Sequence, residues 1–479
     1  MKMTNANILS ARYATSEINN IFSEKQKIIY ERELWLAVLK AQKELGLDIP
    51  DKEIVKFEKA LSKIDLDLIK KIEVKTKHDV KARIEAYVQT ARAGEYIHRG
   101  MTSRDLTDNV EQMQIKKALE IIFGKLVAIL KQFCDKAEEY QGIVLTARTH
   151  HQPAQPTLLG RRIAMWAEEL IWHLRDLESF LENYPLRGIK GPVGTQFDML
   201  NLLGNKEKLR LLEQKLAQKL GFKQVLQATG QVYPRSLDYK LGTCLVGISA
   251  ALENFAKGMR LMAGYELVTE GFSAGQVGSS AMPHKMNTRS SERICGFCEL
   301  LKMYADGASR LSGDQWEEGD VSCSVVRRVI IPDVFYVMDG LCETVLTVLK
   351  NMGTYPAMIE KELERYLPFL ASTEILITAV KAGIGREEAH ELIKKYAVKE
   401  ALKIRDQGAE NNNLIKLLAQ DPVFKNKGIT KEVLDKILKH KKHFMGNADH
   451  QIQEVVKQAE KLFFKKYKKQ TKYQVQGII

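Results

Sequence analysis

Apolar residues recur at alternating steps of three and four along five long stretches of this chain. Ile115, Leu119, Ile122, Leu126, Ile129 and Phe133 make the first stripe. Ile163, Trp166, Leu170, His173, Leu177 and Phe180 make the second, with one histidine in line. The third is Leu241, Leu245, Ile248, Leu252, Phe255, Met259 and Met262. Ile294, Phe297, Leu301 and Tyr304 form the fourth, and Val334, Val337, Leu341, Val345 and Val348 the fifth. This period predicts amphipathic helices, and three-four spacing packs such helices nearly parallel in a bundle. The third stripe alone covers about 22 residues, or roughly 33 Å of helix. That is more apolar surface than one chain's bundle needs, so a homo-oligomer is expected. His173 reads as a core residue. Strand-like alternation is weak, and short ribbons are expected only near Ile189–Gln196 and Gln224–Val232. The fold class is therefore all-α.

The flanks differ from the middle. Residues 1–103 alternate short amphipathic helices with polar joints and form an N-terminal helical domain. The joint Thr76-Lys77-His78-Asp79 enters one helix. Gly100 leads into Thr102-Ser103-Arg104-Asp105, whose side chains suit the free amides of a helix start or an anion placed there. Residues 104–353 hold the bundle. From 354 onward Tyr355-Pro356, Leu367-Pro368, Gly383-Ile384-Gly385 and Asp421-Pro422 cut the pattern into small helices, giving a C-terminal helical domain over 354–479. More than one domain is expected, because a single core rarely grows past about 250–300 residues.

Charge and cysteines narrow the class. The net charge of +13 suits an anionic small substrate as well as nucleic acid. Its densest cluster, Lys465, Lys466, Lys468, Lys469 and Lys472, reads as a solvated terminus and not as a nucleic-acid site. Cys295-x-x-Cys298 lies in a helical stripe with no second pair, which is too few ligands for zinc. The opening residues hold no apolar signal core, and no run reaches the roughly 18 apolar residues of a membrane span. A reducing cytoplasm is the expected setting.

Four polar islands interrupt the helices. The largest, Gly271 to Arg293, is a glycine-rich loop between the third and fourth stripes. It carries Ser279, Ser280, His284, Lys285 and Asn287, and closes on Glu292 and Arg293. The others hold Thr149-His150-His151, Gly188–Gln196, and Gly313–Arg328 with Ser324, Arg327 and Arg328. Two adjacent histidines point to different sides, so at most one of His150 and His151 faces a site. No phosphate-binding glycine loop, dinucleotide fingerprint or metal cluster is present in the sequence. The inventory suits a polyanionic ligand and acid–base chemistry, with neither cofactor nor metal. A serine here could serve as nucleophile or base, and the residues alone leave that open.

Gly278-Ser-Ser-Ala-Met-Pro-His-Lys-Met-Asn287 resembles the signature loop of the fumarase/aspartase superfamily, G-S-S-x-M-P-x-K-x-N. Further motifs are similar to those of its adenylosuccinate lyase branch and come in the same order. They are Ser10-Ala-Arg-Tyr-Ala14, Lys77-His-Asp-Val80, Thr102-Ser103, Thr149-His150 with Gln152-Pro-Ala-Gln155, and Gly194-Thr-Gln196. The resemblance implies an all-helical homotetramer with active sites shared between subunits. It implies elimination of fumarate from adenylosuccinate to leave AMP, and from the succinylated aminoimidazole carboxamide ribotide (SAICAR) to leave AICAR. Ser279 matches the general base and His150 the general acid. His78 matches an orienting histidine, Lys285 and Asn287 the carboxylate-holding pair, and Glu292 a supporting carboxylate. Arg12, Tyr13, Asp79, Thr102, Ser103, Thr149, Gln196, Arg293, Ser324 and Arg328 match substrate-binding positions. Two departures stand out. Gly319 occupies a place where many members carry arginine, with Arg327 the expected substitute cation, and Thr288 replaces a common proline after Asn287.

Overall fold

The computed structural model of the chain describes residues 7–271, 282 and 284–476. Short helices come first: α1 (Ile8–Arg12), α2 (Ser16–Ile21), α3 (Glu24–Glu44), α4 (Asp51–Ala60), α5 (Leu66–Thr76) and α6 (Asp79–Ala91). The bundle begins with α7 (Ser103–Glu139) and α8 (Leu159–Glu182). After α9 (Phe197–Leu203) and α10 (Lys206–Leu220) it continues with α11 (Ser236–Gly264), α12 (Arg289–Leu311) and α13 (Cys323–Asn351). The last part holds α14 (Pro356–Leu370), α15 (Ser372–Lys381), α16 (Arg386–Gln407), α17 (Leu414–Gln420), α18 (Pro422–Asn426), α19 (Lys431–Lys439) and α20 (Ala448–Ala459).

Each apolar stripe falls on one long helix, and its side chains are buried except for His173 and Tyr304, which are half-buried. Each buried Leu, Ile or Phe of a stripe contributes about 1.5–3 kcal/mol relative to exposure. The helices approach closely where a side chain is missing. A Cβ on Gly258 of α11 would stand 2.4 Å from the Trp166 indole of α8. His173 likewise rests on Gly247, so it is a packing residue at the bundle edge and not a sealed core group. A smaller apolar cluster, including Ile375, Leu414, Leu418 and Phe424, gathers α15 to α19. No helix among the described residues is long and apolar enough to cross a membrane.

One buried lysine clasps the bundle. Lys125 of α7 meets Asp339 and Glu343, one turn apart on α13, and all three are sealed from solvent. The Asp339 carboxylate also accepts the Thr15 N–H at 2.6 Å, and Glu343 accepts the Gln476 N–H at 2.8 Å and the Tyr473 hydroxyl. Three unlike segments are thereby tied to one cation, and each carboxylate recovers part of its desolvation cost through hydrogen bonds.

The strands lie elsewhere than the alternation suggests. β1 (Val144–Thr149) pairs antiparallel with β2 (Gln152–Leu158), and a short pair joins β3 (Val268–Thr269) to β4 (Gly353–Thr354). The island with Pro153 and Pro156 is thus a hairpin; proline bars helix but is tolerated on an edge strand. The segments at 189–196 and 224–232 form no ribbon, only one bridge from Leu186 to Val225. Backbone amides of Lys190 and Gly191 go to the Asp105 carboxylate instead of to a partner strand.

Desolvation of His98, whose ring accepts the Trp35 indole N–H at 3.0 Å, lowers its imidazole pKa to about 4. The folded state therefore resists a proton that the unfolded state takes near pH 6.5. His98 stabilises the fold fully above about pH 6.5 and loses that contribution as pH falls toward about 4. Melting temperatures of the wild type and His98→Gln should therefore draw together, or cross, as pH falls through that window; a constant gap would refute the assignment.

Candidate active site

Asp105, Asp108 and Glu111 step by three along the first turns of α7, so they share one face. Buried carboxylates need partners, and each of these finds an arginine from a different segment. Asp105 accepts Arg187 at 2.6 Å, together with the amides of Lys190 and Gly191 at 2.8 and 3.1 Å. Asp108 accepts Arg235 at 3.2 Å, the Tyr233 N–H at 3.2 Å and Arg104 at 3.3 Å. Glu111 accepts Arg327 at 2.6 Å. Burial pushes the Glu111 carboxyl up, but the Arg327 guanidinium outweighs it and holds the pKa down at about 2. The loops around 190, 233 and 320 are thus drawn onto the start of α7.

The polar residues expected to bind substrate stand on this platform. Thr102 and Ser103 open α7, with the Thr102 N–H donating to Asp105 at 2.8 Å. His78 is the N-cap of α6; its Nδ1 accepts the Lys81 N–H at 3.2 Å, and its Nε2 lies 3.5 Å from the Ser103 hydroxyl. Asp79 follows, its carboxylate accepting the Val80 N–H. Gln196, in the left-handed region at φ 59°, ends the loop that Asp105 anchors and donates to the Ile189 carbonyl. The Ser324 hydroxyl accepts Arg104 at 2.7 Å. Arg328 is exposed on α13.

A second group forms at the far end of the bundle. Thr149 and Gln152 pair at the tip of the β1–β2 hairpin, and the two residues between them are His150 and His151. Both have positive φ, 51° and 62°, the backbone of a two-residue hairpin turn that usually takes Asn or Gly. Both are exposed, and His151 Nε2 sits 3.1 Å from the Tyr265 hydroxyl at the end of α11. The two histidines differ in surroundings, as adjacent positions require. Lys285 and Asn287 line a cavity of about 590 Å³ with Glu266, Glu270, His284 and Tyr355.

Glu270 closes the base of the signature loop. Its carboxylate accepts the amides of Ser290 and Ser291 at 2.8 and 3.0 Å, and the Ser291 hydroxyl at 2.9 Å. A carboxylate at a helix N-terminus satisfies free donors and complements the dipole. It replaces the cap that Thr288 leaves unmade. Ser279 and Ser280 lie outside the described residues. Glu292 is exposed in the first turn of α12, and the neighbouring Arg293 stacks its guanidinium on Tyr13 at 5.6 Å. Arg12 approaches the same ring at 5.9 Å, and Phe297 meets it edge-on.

One expectation fails on burial. Arg327 is 2% exposed and spent on Glu111, Asp238 and Tyr233, so it cannot offer its charge to a ligand in place of an arginine at 319. Gly319 has φ 139°, and a Cβ there would lie 3.1 Å from Val232. This backbone is built for glycine. One cation beside this loop is Arg104, next to Ser103 in sequence and bonded to Ser324. Its significance was hidden because it sits inside a string that reads as capping chemistry. The Asp105, Asp108, Glu111 spacing was visible in the sequence and points to it.

The expected residues therefore collect in separate places. His78, Ser103, Gln196 and Ser324 gather at the start of α7. His150 follows its end, beyond 37 helical residues, about 55 Å at 1.5 Å per residue. Lys285 lies with His150's end, where Tyr140 of the α7 C-cap reaches the Met352 carbonyl.

The architecture is shared with solved structures. A 3-carboxy-cis,cis-muconate lactonizing enzyme from Pseudomonas putida superposes with TM-score 0.82 at 20% identity, covering 95% of this chain and 99% of that one. A fumarate lyase from a Mesorhizobium species gives 0.77 at 19%, covering 93% and 98%. A family model described as Lyase matches residues 9–300, and one described as Adenylosuccinate lyase C-terminus matches 368–455. The adenylosuccinate lyase of Saccharomyces cerevisiae is 35% identical over 454 residues, 94% of this chain and 93% of that protein. That of Methanocaldococcus jannaschii is 33% identical over 456 residues, 93% and 94%. The chain belongs to the lyase family, on its adenylosuccinate lyase branch.

Removing one partner of a buried pair leaves an uncompensated charge. Asp105→Ala should cost about 3–5 kcal/mol, read as a lowered urea midpoint, whereas the exposed Asp306→Ala should stay within about 0.5 kcal/mol.

Proposed function

We propose that this protein cleaves adenylosuccinate to AMP and fumarate, and SAICAR to AICAR and fumarate. The observation that carries the reading is the match to adenylosuccinate lyases across nearly the whole chain, 35% identical over 94% of it. The substrate is a small polyanion, in keeping with the net charge of +13.

In this reading Ser279, as an alkoxide, removes the β-proton of the succinyl group. The electron pair moves into a dianionic aci-carboxylate, for which Lys285 and Asn287 supply a cation and a donor. The C–N bond then breaks, the carbon–carbon double bond of fumarate forms, and His150 returns a proton to the leaving nitrogen. His78, with Ser103, orients the succinyl end. Glu292 supports the loop, and Arg12, Tyr13, Arg293, Asp79, Thr102, Thr149, Gln196, Ser324 and Arg328 hold the remainder. Arg104 joins this set as the cation beside Ser324. No step needs a cofactor or metal.

A complete site takes more than one chain. His78 and His150 lie at opposite ends of α7, whose 37 residues no side chain spans. Trp172, Leu261, Met303 and Val325 stand exposed on α8, α11, α12 and α13, apolar faces that further copies would cover. A homotetramer with shared sites meets both conditions, and the six unpaired cysteines suit a reducing cytoplasm.

Purified protein should lower the ultraviolet absorbance of adenylosuccinate; turnover of argininosuccinate instead would overturn the reading. Ser279→Ala should lose at least about a thousandfold in kcat with assembly intact, and undiminished turnover would remove Ser279 as the base. His78→Gln and His150→Gln should each be nearly inactive alone. Unfolded together and refolded as mixed oligomers, they should regain part of the wild-type rate; no regain would refute shared sites.

A further inference from the structure

The hairpin that presents His150 has a second face, and it closes a cavity of about 480 Å³ against the C-terminal helices. Arg148 and His151 enter it from the hairpin, Arg365 from α14 and Arg405 from the last turn of α16. Tyr265, Tyr366 and Phe369 supply aromatic walls. The sequence builds this locally. Tyr366 and Phe369 are three apart on α14 and Arg365 and Phe369 four apart, so rings and cation share one side of the helix. On α16 Arg405 follows Ala401 by one turn, and the small side chain leaves room beside it.

The cavity carries excess positive charge. No carboxylate lines it. Arg148 lies over the Tyr265 ring at 4.1 Å and near the Tyr366 ring at 5.6 Å, and pairs with Glu362 at 2.5 Å. Arg365 and Arg405 have no acidic partner among the described residues. Guanidinium groups favour phosphate oxygens, and flat aromatic and guanidinium faces favour a stacked base. The volume lies within the range of small-ligand sites.

We propose that this cavity is a non-catalytic binding site for a nucleoside polyphosphate, with the base among the aromatic rings and the phosphates on Arg365 and Arg405. It is separate from the cleavage site: His151, not His150, faces it. The binding arm of the test stands whichever reaction the enzyme performs; only its activity arm rests on the adenylosuccinate reading.

The test is calorimetric titration of the full-length protein with GTP, which lacks the 6-amino group of the proposed product. One GTP per chain should bind to the wild type. Arg365→Glu/Arg405→Glu should weaken binding at least tenfold while kcat and KM for adenylosuccinate stay within twofold. Inorganic tripolyphosphate should bind at least tenfold more weakly than GTP. No GTP binding, equal binding to the double variant, or displacement of GTP by adenylosuccinate would overturn the site. Equal affinity for tripolyphosphate would overturn the assignment of a nucleotide.

Discussion

Three inward carboxylates on the first turns of α7 set the conditions for everything near them. Ionised Asp105, Asp108 and Glu111 are tolerable only because cations from distant segments reach them. Packing alone would let the loops around 190, 233 and 320 settle in many ways. The ion pairs select one, because each carboxylate is answered by an arginine from a particular segment. Desolvated pairs of this kind contribute little net stability, but they reject misplaced loops sharply, since a wrong arrangement strands a charge. Gln196, Ser103 and Ser324 inherit their positions from that selection.

The bundle was legible because burial and period report the same thing: a stripe at steps of three and four leaves one face that must leave water. The hairpin at 144–158 was not, since its apolar alternation is short and its prolines speak only against helix. Motif residues such as His78, Lys285 and Asn287 stood out by type and spacing. Arg104 and Glu270 did not, because their meaning lies in partners far along the chain, Ser324 for one and the amides of α12 for the other. The misassigned cation at Arg327 has the same origin. Nothing in a linear string announces that an arginine will be sealed against Glu111 and Asp238.

The long helices also explain why the polar islands collect at the bundle's ends. Their middles are committed to packing, so polar joints fall where helices stop. Each end then offers loops held on a rigid frame, which suits groups that must be placed to within fractions of an ångström. The hairpin is the extreme case. Two histidines in a turn that favours glycine or asparagine carry backbone strain of order 1–3 kcal/mol each, and the flanking strands hold them there.

The Lys125 clasp has a further consequence. It holds Thr15 and Gln476, near the two extremes of the described chain, on carboxylates one helical turn apart. The chain is thereby closed into a ring without a covalent bond. Clipping the last few residues would unseat Tyr473 from Glu343 and leave that carboxylate to Lys125 alone. The lysine is shared with Asp339, so the disturbance would travel to Thr15 and on to Tyr13, two residues away. Proteolytic trimming of the tail would then be felt as looser packing of the Tyr13 ring between Arg12 and Arg293.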